Sequence, residues 1–158
     1  MAADIATQLA VERLIARYVA SIDEDRLEEW PGYFAERCRY QIISAENYAK
    51  GLPIGVFFAD SRGMLQDRVS ALREANVYEA QRYRHLVSSI MILSAADRIV
   101  TARSNYLVAR IMHDGAMTLF STGRYLDRID LRGAEPLFEE RLVVFDNKRI
   151  DTLLAIPL

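Results

Sequence analysis

His85, His113 and Cys38 are the only imidazole and thiol groups in this sequence, and they bound the redox and metal chemistry it can support. An iron–sulfur cluster with mixed ligation needs two cysteines and two histidines, one thiol more than the chain has. A mononuclear site of two histidines and one carboxylate would consume both imidazoles. His85 opens one predicted strand, however, and His113 falls at a hairpin tip, so the two are not expected to converge. Cys38 has no histidine near it in sequence and lies in a strand pattern, which reads as a buried, inert thiol. There is no glycine-rich phosphate loop, no nucleophile elbow and no dinucleotide fingerprint. What remains is a dense basic and aromatic stretch, Arg82-Tyr83-Arg84-His85. Its plain reading is a solvated segment whose arginines lie over a sheet edge. Its sharper reading is an interface anchor, because arginine and tyrosine dominate binding hot spots and the guanidinium is a planar fork for carboxylates. Residue physics alone does not choose between them. A second cluster, Asp60, Arg62, Asp67, Arg68, Arg73 and Glu74, mixes signs at helical spacing and reads as exposed ion pairs of about 0.5 kcal/mol each.

The elements that must position these groups change character along the chain. Val11, Leu14, Ile15, Tyr18, Val19 and Ile22 follow one helical face, predicting a helix from about Asp4, its N-cap, to Ser21. A short second helix is expected from near Asp23, turning Leu27 and Trp30 inward before Pro31 ends it. Cys38 to Ile43 reads as a strand, and Glu46 to Ala59 as a loop or irregular strand broken by Gly51, Pro53 and Gly55. Ser61 is expected to cap a third helix with Leu65, Val69, Leu72 and Asn76 on one face, ending near Asn76. The period then falls to 2, with strands at Arg84 to Ser94, Arg98 to His113, Ala116 to Leu131 and Leu137 to Asp146, and a terminal strand at Asp151 to Leu158. Asp114-Gly115 is the strongest two-residue turn signal.

Helices first and long antiparallel strands afterwards predict an α+β fold over residues 1–158 as one domain, with the helices gathered on one face of a curved sheet. From Val100 to Met112 both alternating sets hold large apolar residues: Val100, Ala102, Tyr106, Val108 and Met112 against Ile99, Leu107 and Ile111. Helices cover only one face, so the other is expected to line a cavity or meet another chain.

With 20 Lys and Arg against 22 Asp and Glu, the net charge of -2 gives no footprint for nucleic acid or an anionic membrane. The longest nearly apolar stretch, Gly51 to Ala59, contains Pro53 and is far shorter than the ~20 residues a spanning helix needs. Asp4 and Glu12 interrupt any secretory signal, so a cytoplasmic protein without a membrane partner is expected.

The opening helix followed by Asp23, Leu27, Trp30, Phe34 and Tyr40 resembles the start common to the nuclear-transport-factor-2-like superfamily. Arg82-Tyr83-Arg84-His85-Leu86-Val87-Ser88 is similar to the Arg-x-Arg-His-x-Val-Ser segment of one branch of it, the small (β) subunits of Rieske-type aromatic-ring-hydroxylating dioxygenases. Glu46-Asn47-Tyr48, Gly51-Leu52-Pro53, Asp67-Arg68-Val69, the run Leu72 to Glu79 and the closing Asp151 to Leu158 look most like subunits of the terephthalate type. Salicylate- and anthranilate-type oxygenases are related possibilities. Ser89, where many β subunits have Asn, and a missing Trp- and Pro-containing segment before Arg82 point away from the naphthalene and biphenyl types.

The resemblance implies a cone-shaped α+β fold with a strongly curved, mostly antiparallel sheet. It also implies an α3β3 assembly whose stem is three β subunits, each touching a catalytic α subunit. The Rieske 2Fe-2S cluster and the mononuclear Fe(II) would sit in α, with no catalytic, metal or cofactor residue in this chain. Tyr48, Arg62, Arg68, Arg73, Arg82, Tyr83, Arg84 and His85 are the interface candidates on this reading. The competing reading is a stand-alone isomerase or dehydratase of the same cone fold, with Tyr40, His85, Tyr106 and Asp127 in its cavity and His85 or Asp127 as base. A third is a binding module that docks a peptide or a second copy on its apolar sheet face.

Overall fold

A computed structural model describes residues 3–75, 79–148 and 156–158. The first helix, α1 (Ile5–Asp23), begins where Asp4 accepts the Thr7 amide and runs slightly past the expected end. Its stop is a Schellman motif: the Arg26 amide donates to the Ser21 carbonyl and the Asp25 amide to that of Ile22. Asp25 takes the left-handed conformation, φ 57°, that glycine usually supplies there.

That stop consumes the residues expected to start a second helix, which shrinks to a 3₁₀ turn, Trp30–Tyr33, with Pro31 in its first turn where a missing amide costs nothing. Leu27 and Trp30 are buried as expected.

The strand β1 (Phe34–Ser44) follows. Ser44 then caps a short helix that the glycines and proline around it hide from sequence reading, α2 (Ala45–Ala49), by accepting the Asn47 amide. The strand β2 (Phe57–Ser61) leads into α3 (Arg62–Ala75), where Ser61 Oγ accepts the Met64 amide as the expected cap. Leu65, Val69 and Leu72 are its buried face. The expected end at Asn76, and the part of the expected terminal strand over 151–155, lie outside the described residues.

Four long strands complete the sheet: β3 (Gln81–Ala96), β4 (Ile99–Met112), β5 (Met117–Asp130) and β6 (Leu137–Phe145). The order is β2-β1-β6-β5-β4-β3, antiparallel except for the β1/β6 pair. The two-residue hairpin is not at Asp114-Gly115. It is at Asp97-Arg98, both with positive φ, between the paired Ala96 and Ile99. The β4/β5 connection instead closes with the Met112 amide on the Ala116 carbonyl. Gly115 at φ 86° supplies the left-handed residue of a three-residue loop, a conformation in which only one position needs positive φ.

Bulges along β3, one containing Ser89 at φ 53°, bend this edge strand. Gln8 of α1 reaches the Ile90 carbonyl there, 3.3 Å away. The sheet wraps α1, whose Val11, Leu14, Ile15, Tyr18 and Ile22 pack against Trp30, Phe34, Tyr40, Tyr125 and Phe138. The helical stripe and the inward positions of the strands thus form one aromatic core.

Candidate subunit interface

The side chains that could act as acids or bases point into this core, and each is held by a neighbour. Arg141 on β6 and Asp127 on β5 are cross-strand partners, joined by two hydrogen bonds of 2.8 and 2.7 Å with both side chains fully buried. Tyr18, Tyr125 and Phe138 stand around the guanidinium, 4.3, 3.9 and 4.2 Å from ring centre to carbon. Burial raises the Asp127 carboxyl above its ordinary value, while Arg141's charge and hydrogen bonds pull it down. Desolvation works against the charged Arg141 as well, but Asp127's charge and hydrogen bonds outweigh it and the guanidinium stays protonated. The pair is therefore a buried ion pair, whose desolvation is offset by geometry and by aromatic faces.

Tyr40 donates to the Leu158 carbonyl at 2.9 Å, and burial pushes its hydroxyl well above the usual value. Tyr106 shares a 2.9 Å hydrogen bond with Ser121, stacks on Tyr125, and is likewise raised by burial. His85 Nδ1 lies 2.6 Å from one oxygen of Asp23, whose other oxygen accepts the His85 amide. The cavity that Tyr40 lines, with Trp30, Ile42, Phe57 and Arg68, amounts to about 10 Å³, room for roughly one water. Three larger clefts, at the two ends of α1 and along its middle, are lined by none of Tyr40, His85, Tyr106 or Asp127. The four residues of the stand-alone enzyme reading thus share a core, and among the described residues none of them lines those larger clefts.

No group of three or more His, Cys, Asp or Glu among the described residues is arranged to hold a metal ion. The donor set explains why: Cys38 is buried on β1, His85 is committed to Asp23, and His113 lies in the β4/β5 loop. These residues do not fit an iron site. No helix of the described residues is long and apolar enough to cross a membrane.

The outer face of the sheet has the opposite character. Strand register places Arg82, Ile111 and Met117 in one row across β3, β4 and β5, Arg84, Ala109 and Leu119 in the next, and Leu86, Leu107 and Thr122 in the third. Leu86, Met117 and Leu119 are 58%, 70% and 71% exposed. Further along, this face presents Arg103, Arg124 and Arg128, and its one acid on these strands, Asp130, is bound to Arg132 at the far end. It is thus an apolar patch edged at its hairpin end by Arg82 and Arg84, which make no ion pair among the described residues, and its helix-free side is open. Such a surface marks a contact with another macromolecule.

The structure separates the interface candidates. Arg82 and Arg84 point outward beside the apolar rows, while Tyr83 and His85 alternate inward and are buried. Arg62 bonds the Phe34 carbonyl, and Arg73 ties α3 to Asp25 and Glu28 across the α1 terminus. Arg68 lies over the Phe57 ring. Tyr48, part-exposed on α2, sits over Arg124. Met117 and Leu119 escaped the sequence reading because simple alternation along β5 would put both on the face of Tyr125; the bulge opposite Val108 and Ala109, where Phe120 and Ser121 are both buried, turns them to the other face. So did Asp23 as the partner of His85, a contact between residues far apart in sequence.

Comparison with known proteins agrees with this division. The profile of a family described as "Ring hydroxylating beta subunit" matches residues 17–152. The chain is 39% identical over 151 residues to the terephthalate 1,2-dioxygenase terminal oxygenase component subunit beta 1 of Comamonas sp, covering 96% of this chain and 98% of that one. It is 37% identical over 156 residues to the anthranilate 1,2-dioxygenase small subunit of Burkholderia cepacia, covering 98% and 96%. Among solved structures, a β subunit assigned to an aromatic-ring-hydroxylating dioxygenase of Novosphingobium aromaticivorans superposes with a TM-score of 0.90 at 39% identity over 97% of each chain.

Proposed function

Since this chain belongs to the family of ring-hydroxylating dioxygenase β subunits, we propose that it is the non-catalytic structural subunit of an α3β3 oxygenase acting on an aromatic carboxylic acid such as terephthalate. In this reading residues 1–158 act as one domain in the cytoplasm. The α subunit holds the Rieske cluster and the mononuclear iron, receives electrons originating from NAD(P)H and forms the cis-dihydrodiol with O2. This chain supplies shape and contact surface.

One observation supports the structural role most strongly. The inward acids and bases considered above are each held by a neighbour, while the outer face of β3–β5 leaves Leu86, Met117 and Leu119 exposed and Arg82 and Arg84 without an ion pair among the described residues. The aromatic-acid assignment is supported by the names of the relatives, terephthalate and anthranilate oxygenase subunits.

Co-expression with a candidate α chain tests the proposal. The expected result is one co-purifying species whose iron tracks the α chain and whose turnover of terephthalate exceeds that of naphthalene. Isolated β turning over a small molecule, or β failing to associate with any α chain, would overturn it.

A further inference from the structure

Two apolar surfaces lie open on this chain, and they differ in shape and charge. One is the flat end of β3–β5 nearest the β4/β5 hairpin, described above. The other runs from the segment after α2 into β2, where Leu52, Ile54, Val56 and Phe58 are 42%, 67%, 52% and 50% exposed. The two are not continuous: α2 packs on β1 and β6 between them, where the outward Ile43 and Val144 are buried.

Their charges are complementary. Arg82 and Arg84 edge the flat patch and make no ion pair among the described residues, while Asp60 shares the outer face of β2 with Phe58 and makes none either. A two-fold contact sets a patch against its own copy, which here would crowd the arginines of both chains with no carboxylate between them. A head-to-tail contact joins two unlike patches and closes into a ring when its rotation divides the full turn. It is the arrangement for which one chain carries both halves.

We infer that residues 52–60 of one copy dock on the hairpin end of β3–β5 of the next. Ile54, Val56 and Phe58 cover Met117 and Leu119, and Asp60 pairs with Arg82 or Arg84. This rests on the β-subunit reading, in which the chain meets copies of itself, and adds which surface meets which.

The test uses full-length chains co-expressed with the α chain. Copies carrying Val56→Cys are combined with copies carrying Leu119→Cys, both in a Cys38→Ser background, and treated with a short bismaleimide. Cross-links are expected between unlike copies and not between like ones. Cross-links confined to two Leu119→Cys copies would reveal a two-fold sheet-to-sheet contact and overturn the inference. Absence of cross-links in a complex that retains α would overturn it too, leaving the β-subunit reading intact. Loss of α would count against that reading instead, and the pattern of cross-links on the chain alone would still decide the direction of contact. As a second arm, Asp60→Arg is expected to weaken self-association about ten-fold or more, with recovery on adding Arg84→Asp or Arg82→Asp to the same chain. Unchanged association in Asp60→Arg, or no recovery with either Arg84→Asp or Arg82→Asp added, would contradict the pairing.

Discussion

The two faces of β3–β5 reverse the usual distribution of polarity. Inside, Asp127, Arg141, Tyr106 and His85 sit in the core with side-chain partners at 2.6 to 2.9 Å. Outside, Leu86, Met117 and Leu119 are exposed beside Arg82 and Arg84, which make no ion pair among the described residues. Buried polar groups held by their neighbours help to fix a unique packing. Exposed apolar groups mark a surface finished by another chain. On the proposed reading the interior specifies the fold and the exterior carries the subunit contacts, so substitutions on the two faces are expected to fail in different assays.

The largest effect is expected inside. Arg141→Ala leaves the Asp127 carboxylate buried without its partner and should cost about 3–5 kcal/mol in urea unfolding. The double variant Asp127→Leu with Arg141→Met should recover most of that loss, because a matched apolar pair needs no desolvation. Failure of the double variant to recover would mean that the ion pair specifies the fold and does not merely fill it.

On the outer face Arg84→Ala and Leu119→Asp should leave stability within about 0.5 kcal/mol of the parent. Each should nevertheless weaken assembly by about 2 kcal/mol, roughly thirty-fold, releasing β in size-exclusion chromatography. Lost folding with assembly unchanged would erase the distinction between the faces.

Asp23→Ala lies between the two classes. It leaves the His85 ring nitrogen and amide without their shared acceptor and should cost about 1–3 kcal/mol of stability. Because His85 lies between Arg84 and Leu86 on β3, a loss of assembly larger than the loss of stability would show that this clamp also positions the outward row.

The smallest effect concerns pH. Arg132, through its side chain and backbone amide, holds the Asp130 carboxyl down at about 2 against an ordinary 3.8. A depressed carboxyl stabilises the fold above its ordinary value, and that contribution is lost as pH falls through about 2. The pair is largely solvated, so Asp130→Asn should flatten the acid limb of the stability profile only slightly.

Much of this division was legible in the sequence. The stripe from Val11 to Ile22 and the alternation from Arg84 to Asp146 gave the layered fold, because burial on one face imposes a period that local residues reveal. The double apolar character of β4 gave the open face. What escaped depended on contacts distant in sequence or on backbone conformations that residue types do not announce. α2 was hidden by Gly51, Pro53 and Gly55, although Ser44 was available to cap it. The tight hairpin formed at Asp97-Arg98, where neither residue is glycine. Alternation within Arg82-Tyr83-Arg84-His85 already implied that only two of the four could face a partner. Which two depended on the Asp23 contact with His85, made across more than sixty residues.

Hydroxyl-radical footprinting of the purified chain and of its complex with the α subunit measures directly whether the outer face is covered. Met117, 70% exposed in a single copy of the chain, should oxidise in the complex far more slowly than in the urea-unfolded chain, while the buried Tyr18 and Tyr125 stay unlabelled in the folded samples. Met117 oxidised in the complex as fast as in the unfolded chain would contradict the claim that this face exists to be packed against another subunit.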